Sequence, residues 1–148
     1  MRKSLVIAMA VLLLASCEQP DFFDTKGRGY HYSDLKGKWL ILNYWATWCG
    51  PCIKEIPELN KIAEEHQDKV SVFGVNFDQP DAEEMHAQVE KMRIAFPVFA
   101  IDPSHELGFT RPEVLPTTFI FSADGALQAT LIGPQTETSL LKALQTGP

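Results

Sequence analysis

Two cysteines three residues apart, Cys49 and Cys52, stand on the seam between an apolar run, Trp39 to Trp45, and a helical pattern, Cys52 to His66. A strand ends and a helix begins at those thiols. A helix N-terminus carries unpaired N–H groups and a partial positive charge. A thiol held there ionises more readily, because its anion is stabilised. Pro51 suits the first helical turn, where its missing N–H is no loss. The stretch Trp45-Ala46-Thr47-Trp48-Cys49-Gly50-Pro51-Cys52 therefore reads as a redox dithiol that exchanges with disulfides.

Two plainer readings compete with this one. Half of a structural zinc site needs two further ligands, but there is no second CxxC, and His31, His66, His86 and His105 are scattered without ligand spacing. An inert disulfide between positions 49 and 52 would close almost no loop and stabilise little. Redox chemistry is the stronger reading of the spacing.

The start of the chain has a separate character. Arg2 and Lys3 precede an apolar run of 11 residues, Leu5 to Ala15. That is too short for a permanent bilayer span and has the form of a secretory signal. The run closes in Leu14-Ala15-Ser16-Cys17, which resembles the bacterial lipoprotein signal, where the cysteine is lipidated and becomes the first mature residue. The expected organisation is a lipoprotein signal peptide over 1–16, a lipidated tether over 17–21 and one domain over 22–148. If Cys17 carries lipid, Cys49 and Cys52 are the remaining thiols of the three cysteines. That suits an oxidising compartment, where a stray thiol would scramble the pair. Removing residues 1–16 takes Arg2 and Lys3 and no acid, leaving 11 basic against 19 acidic side chains, a net charge of −8. This argues against nucleic-acid binding and against a polybasic hold on anionic lipid.

Along the domain, Lys26-Gly27-Arg28-Gly29 is a turn signal, with Tyr30-His31-Tyr32 as a short strand behind it in a small hairpin; His31 reads as a surface residue. Trp39 to Trp45 suits a strand buried on both faces. Asn43 interrupts it, either as a buried polar group that finds its hydrogen bonds or as a residue beneath the dithiol. Ile53, Ile56, Leu59, Ile62 and Ala63 form a helical stripe, with a kink expected at Pro57. Glu55, three residues after Cys52, shares its side of the helix. It reads equally as the group that exchanges a proton with Cys52 or as a solvated first-turn glutamate.

Val70 to Asn76 is a second buried strand. Ala82 to Ile94 is a helix with Met85, Val89 and Met92 in register as core filler. Phe96 to Ile101 reads as a short strand, and Ser104 to Gly108 as a helical turn in an irregular segment. Val114 to Phe121 is a strand opened by Pro116. Ala123-Asp124-Gly125-Ala126 is a hairpin turn into strand Leu127 to Ile132. A last helix, capped by Thr136 or Thr138, shows Leu140, Leu141 and Leu144 on one side. The order predicts an α/β fold: a mixed central β-sheet flanked by helices, an N-terminal β-hairpin and a central βα insertion.

Over roughly residues 20 to 147 the chain resembles the thioredoxin superfamily, and within it the TlpA/ResA-like branch of membrane-anchored thiol–disulfide oxidoreductases. Trp48-Cys49-Gly50-Pro51-Cys52 is the thioredoxin active-site motif. Leu42-Asn43-Tyr44-Trp45-Ala46-Thr47-Trp48-Cys49 and Lys54-Glu55-Ile56-Pro57-Glu58-Leu59 are similar to the TlpA branch, with Asn43 where cytosolic thioredoxin has a buried aspartate. The resemblance implies that Glu55 tunes the dithiol. It implies that Leu115-Pro116-Thr117-Thr118-Phe119 is a loop with a cis-proline facing the thiols. Cys49 is then the nucleophile, and its thiolate forms a mixed disulfide with substrate. Cys52, one turn deeper, resolves it. The backbone of Leu115, beside Pro116, is left to pair with an extended substrate segment. Trp48 and Trp45 either shield the site or simply pack.

No bound cofactor is called for beyond a redox-active disulfide between Cys49 and Cys52. The expected partners are protein disulfides and, by resemblance, a membrane thiol-transfer protein as electron donor. Gly50-Pro51 between the cysteines matches reducing thioredoxins, which favours a protein-disulfide reductase, in cytochrome c maturation or disulfide repair. The alternatives are a disulfide-forming oxidant and a substrate-binding or chaperone module; a peroxidatic PxxxTxxC motif is missing. The expected location is the bacterial cell envelope, lipid-anchored with the domain in the periplasm. Glu18 after Cys17, in place of the aspartate associated with inner-membrane retention, points to the outer membrane.

Overall fold

The computed structural model describes residues 19–145. The segment expected to be a signal peptide, Cys17, Glu18 and the last three residues lie outside them.

Strands β1 (Phe22–Phe23) and β2 (Gly29–Tyr30) pair antiparallel, Phe22 opposite Tyr30. Asp24 builds the turn between them: one carboxylate oxygen accepts the N–H groups of Lys26 and Arg28, at 2.9 Å each, and the other accepts the Tyr30 hydroxyl at 3.1 Å. Tyr32 does not continue the strand, as its sequence had suggested. Tyr32–Leu35 is a 3-10 helix instead. Asp34 accepts the His31 N–H at 2.8 Å and Asp21 accepts the Tyr32 N–H at 2.7 Å, so local carboxylates take the donors a strand would have paired.

The main sheet has the order β4-β3-β5-β6. Its central strand β3 (Trp39–Trp45) runs parallel to β4 (Val70–Asn76) and antiparallel to β5 (Thr117–Phe121), which pairs with the edge strand β6 (Leu127–Ile132). The helices are α1 (Gly50–Glu65), α2 (Ala82–Lys91) and α3 (Glu137–Gln145). Alternation along β3 separates the two faces. Ile41 meets Leu59 and Ile62 of α1 and Leu140 of α3. Trp45 meets Ile56 of α1 and Met85 and Val89 of α2. Leu40, Leu42 and Tyr44 point the other way, where Phe22, Tyr30, Leu35 and Phe99 cover them. Thus the helices gather on the face of the odd-numbered β3 residues, and the hairpin side supplies an aromatic cover for the other. Full burial of Ile41, Leu42, Tyr44 and Trp45, at roughly 1.5–3 kcal/mol for a large apolar side chain, makes β3 the rigid support of whatever follows it.

Three further expectations are altered. Residues 96–101 make only isolated bridges, Val98 with Gly74 and Phe99 with Asp24; Pro97, lacking an N–H, cannot extend a ladder. Helix α2 closes at Lys91 instead of reaching Ile94, with Arg93 in the left-handed region at φ 56°. Ile53, counted in the apolar stripe of α1, is 52% exposed. Helix α1 itself runs unbroken through Pro57. Thr136 caps α3, its hydroxyl oxygen accepting the Ser139 N–H at 3.2 Å.

Candidate active site

The end of β3 and the start of α1 meet at the two thiols. Cys49 is the N-cap of α1, with Pro51 in the first turn. Its sulfur accepts the backbone N–H of Cys52 at 3.2 Å, which is the contact that stabilises a thiolate at a helix start. Cys49 and Cys52 form a disulfide of 2.03 Å with a Cα–Cα distance of 5.3 Å. Cys49 is nearly buried and Cys52 wholly so.

Trp48, by contrast, is 64% exposed. Its indole N–H donates to Asp78 at 2.8 Å and its ring meets the edge of Phe77 at 6.4 Å, so this exposed aromatic is held in place from the β4–α2 loop. Trp45 has the packing role: it is fully buried against Cys49, Cys52 and Ile56. Gly74, the β4 partner of Asn43, makes room for it. A Cβ at position 74 would lie 2.9 Å from the Trp45 indole nitrogen and 3.0 Å from the Phe96 ring.

Glu55 is not the solvated glutamate of the plainer reading; it is 1% exposed. The Asn43 side-chain amide donates to one carboxylate oxygen at 2.7 Å, and the backbone N–H of Gln135 donates to the other at 2.9 Å. Burial pushes the Glu55 carboxyl up to about 7, although the Gln135 N–H and the Asn43 amide favour the anion. Asn43 also donates to the Thr118 hydroxyl at 2.9 Å. The Asn43 Nδ2 is thus fully used, and one of its bonds goes to the glutamate that follows Cys52 in the helix, whereas its buried carbonyl oxygen finds no partner among the described residues, so the plain expectation of a satisfied polar group holds only in part.

The Leu115–Pro116 peptide bond is cis. Leu115 packs against both the cluster that contains the cysteines and the aromatic cluster beyond. The Pro116 carbonyl accepts the Gly133 N–H at 2.9 Å, two residues before the Gln135 N–H that holds Glu55. One loop, between β6 and α3, thereby fastens both the proline segment and the buried carboxylate. Thr118 and Gln135 were not assigned roles from sequence. Thr118 had a signal, since a strand residue paired with a central polar residue is a natural hydrogen-bond partner; Gln135 acts through its backbone, which no side-chain pattern reveals. Among the described residues, His66 comes together with Glu65 and Glu137, but the Lys61 ammonium already sits 2.6 Å from Glu137, giving an ion-pair cluster at the far end of α1. Cys17 lies outside the described residues.

A dithiol at a helix start, fed by the central strand of a mixed sheet and accompanied by a cis-proline segment, defines a thioredoxin-fold thiol–disulfide oxidoreductase. The chain belongs to the AhpC/TSA family, whose sequence model matches residues 15–130. The thiol-disulfide oxidoreductase ResA of Bacillus cereus is 36% identical over 135 residues, covering 86% of this chain and 75% of the relative. The thioredoxin-like protein YneN of Bacillus subtilis is 32% identical over 131 residues, covering 86% and 76%. The crystal structure of the pneumococcal exposed lipoprotein thioredoxin Etrx1 of Streptococcus pneumoniae superposes with a TM-score of 0.73 at 23% identity, over 86% of this chain and 98% of that one, which is a likeness of fold.

Proposed function

We propose that this protein is a reductase of protein disulfides in the bacterial cell envelope. The observation that carries the reading is the placing of the two thiols: Cys49 caps α1 beside the exposed Trp48, while Cys52 is fully buried, with a protonatable carboxylate, Glu55, three residues further along the same helix. In the reduced protein the Cys49 thiolate attacks a substrate disulfide, forms a mixed disulfide and releases one substrate thiolate. Cys52 gives its proton to the Glu55 carboxylate and attacks Cys49 sulfur; the second substrate thiolate leaves and the Cys49–Cys52 disulfide forms. Two electrons pass to the substrate. Glu55 is suited to the proton step because a carboxyl near 7 gives and takes protons at neutral pH. Trp48 and the half-buried Leu115 form the substrate-facing surface, with Pro116 buried next to Leu115 in the chain. No bound cofactor is required; the cysteine pair carries the electrons, and a membrane thiol-transfer protein returns them.

In the same reading the domain is held at the membrane by lipid on Cys17 and faces the periplasm, with the outer membrane favoured by Glu18. The motif Leu14-Ala15-Ser16-Cys17 supports this, and among the described residues no helix is long and apolar enough to cross a membrane. Disulfide repair and cytochrome c maturation are the fitting roles. The test is a Cys52→Ala variant, which should accumulate envelope proteins disulfide-bonded to Cys49. Recovery of none would contradict the assigned roles.

A further inference from the structure

Beside the dithiol, on the side of α1 that faces the end of α2, lies a groove of about 500 Å³. Thr47, Ile53, Pro57 and Met92 give it an apolar floor, and Lys91 and Arg93 stand on its rim; no carboxylate lines it. Thr47 and Ile53 flank the Cys49–Cys52 segment in the chain, and Ile56, another lining residue, belongs to the buried cluster that holds both cysteines, so the groove lies next to the redox site. Its far wall is fixed to α1. The Asn60 amide donates to the Arg93 carbonyl at 2.9 Å, and its oxygen accepts the Ala95 N–H at 2.8 Å.

Two observations point to an occupant. The first is charge. The chain has 19 acidic against 13 basic side chains, yet the rim of this groove is cationic, and neither Lys91 nor Arg93 makes an ion pair among the described residues; Glu90 lies 3.9 Å from His86 instead. The second is the backbone at Arg93. Its N–H bonds to the Glu90 carbonyl at 2.9 Å, and the Ile94 N–H reaches the Val89 carbonyl at 3.2 Å, the double closure in which glycine normally occupies the left-handed position. Here the chain places an arginine at φ 56°, a conformation that disfavours any side chain. The position that would favour glycine thus carries a long cationic side chain on the groove rim.

We infer that this groove docks the segment flanking a cysteine of the protein partner, and that it selects segments with an apolar side chain followed by acidic ones. Ile53 and Met92 receive the apolar side chain; Lys91 and Arg93 pair with the carboxylates. The inference rests on the oxidoreductase reading, and it names a specificity surface outside the Trp48, Leu115 and Pro116 contacts.

The experiment uses the full chain, reduced with dithiothreitol and freed of it, in single turnover. Each turnover moves two electrons from the Cys49–Cys52 dithiol to a peptide disulfide, leaving the protein disulfide and two peptide thiols, which are counted. One synthetic peptide carries its disulfide followed by a leucine and two glutamates; its counterpart has two lysines in place of the glutamates. The acidic peptide should react faster by on the order of tenfold at low salt, and the ratio should fall towards one in high salt. A Lys91→Ala/Arg93→Gly double variant should lose the preference, whereas Lys69→Ala, at the opposite end of the parallel β3–β4 pair, should retain it. Equal rates for the two peptides, or an undiminished preference in the folded double variant, would overturn the inference; if that variant misfolds, the salt dependence of the unmodified protein decides. Failure to reduce the uncharged 2-hydroxyethyl disulfide would instead remove the oxidoreductase reading, and the docking site with it.

Discussion

The Asn43 amide on β3 donates to the Glu55 carboxylate on α1 at 2.7 Å, and both residues are buried. A central strand and the redox helix are tied through a group that titrates near neutrality. This relationship couples the protonation of the site to the stability of the fold, and it leads to the following expectations.

Glu55→Gln should flatten the pH dependence of stability. The Glu55 carboxyl is raised to about 7 from an ordinary 4.5, so between those values the folded protein holds a proton that the unfolded chain has released. Its contribution to stability is therefore greatest below the lower value and falls as pH rises through the window, by up to about 3 kcal/mol. Denaturant unfolding from pH 4 to 8 measures this. The variant should also lose the step near pH 7 in its rate of thiol–disulfide exchange; an unchanged profile would return Glu55 to a structural role.

Asn43→Ala removes one of the two donors that favour the Glu55 anion and leaves Thr118 without that partner. The step in the exchange profile should move above 7, and the fold should lose about 1–3 kcal/mol. Titrating the exchange rate alongside urea unfolding separates the two effects.

Gly74→Ala should destabilise the protein by about 1–3 kcal/mol. The added methyl meets the indole of Trp45, the ring of Phe96 and Val98, at 3.1 Å or less in each case, and all three are buried. Thermal unfolding would show it, with the midpoint lowered.

Cys17→Ser should release the domain from the membrane fraction on cell lysis, since a serine cannot take the lipid. Continued sedimentation with membranes would contradict the lipid anchor.

Much of this was legible in the sequence, and the reasons for the exceptions are physical. The dithiol, the strand before it, the βα insertion and the closing hairpin follow from spacing and periodicity, because a buried strand and an amphipathic helix each demand a pattern. Spacing put Glu55 on the side of Cys52, but periodicity gives the direction of a side chain and not its depth; the depth is set by the β6–α3 loop, which arrives from 80 residues away to bring the Gln135 N–H. Residues 96–101 look like a strand by composition, yet Pro97 breaks the ladder. Tyr32 has the make-up of a strand residue, yet Asp21 and Asp34 capture its neighbourhood for a 3-10 helix. Ile53 fits the apolar stripe and is nevertheless exposed on the floor of the groove beside the thiols, where the sequence offered no sign that a helix position would be left open.

The most direct measurement of the central claim is the equilibrium of the Cys49–Cys52 pair against glutathione buffers, read by thiol alkylation. A reducing protein with Gly50-Pro51 between its cysteines should have a potential at or below about −200 mV, in the range that runs down to thioredoxin. A value near −120 mV, that of a strong oxidant, would contradict the assignment and make the protein a donor of disulfides.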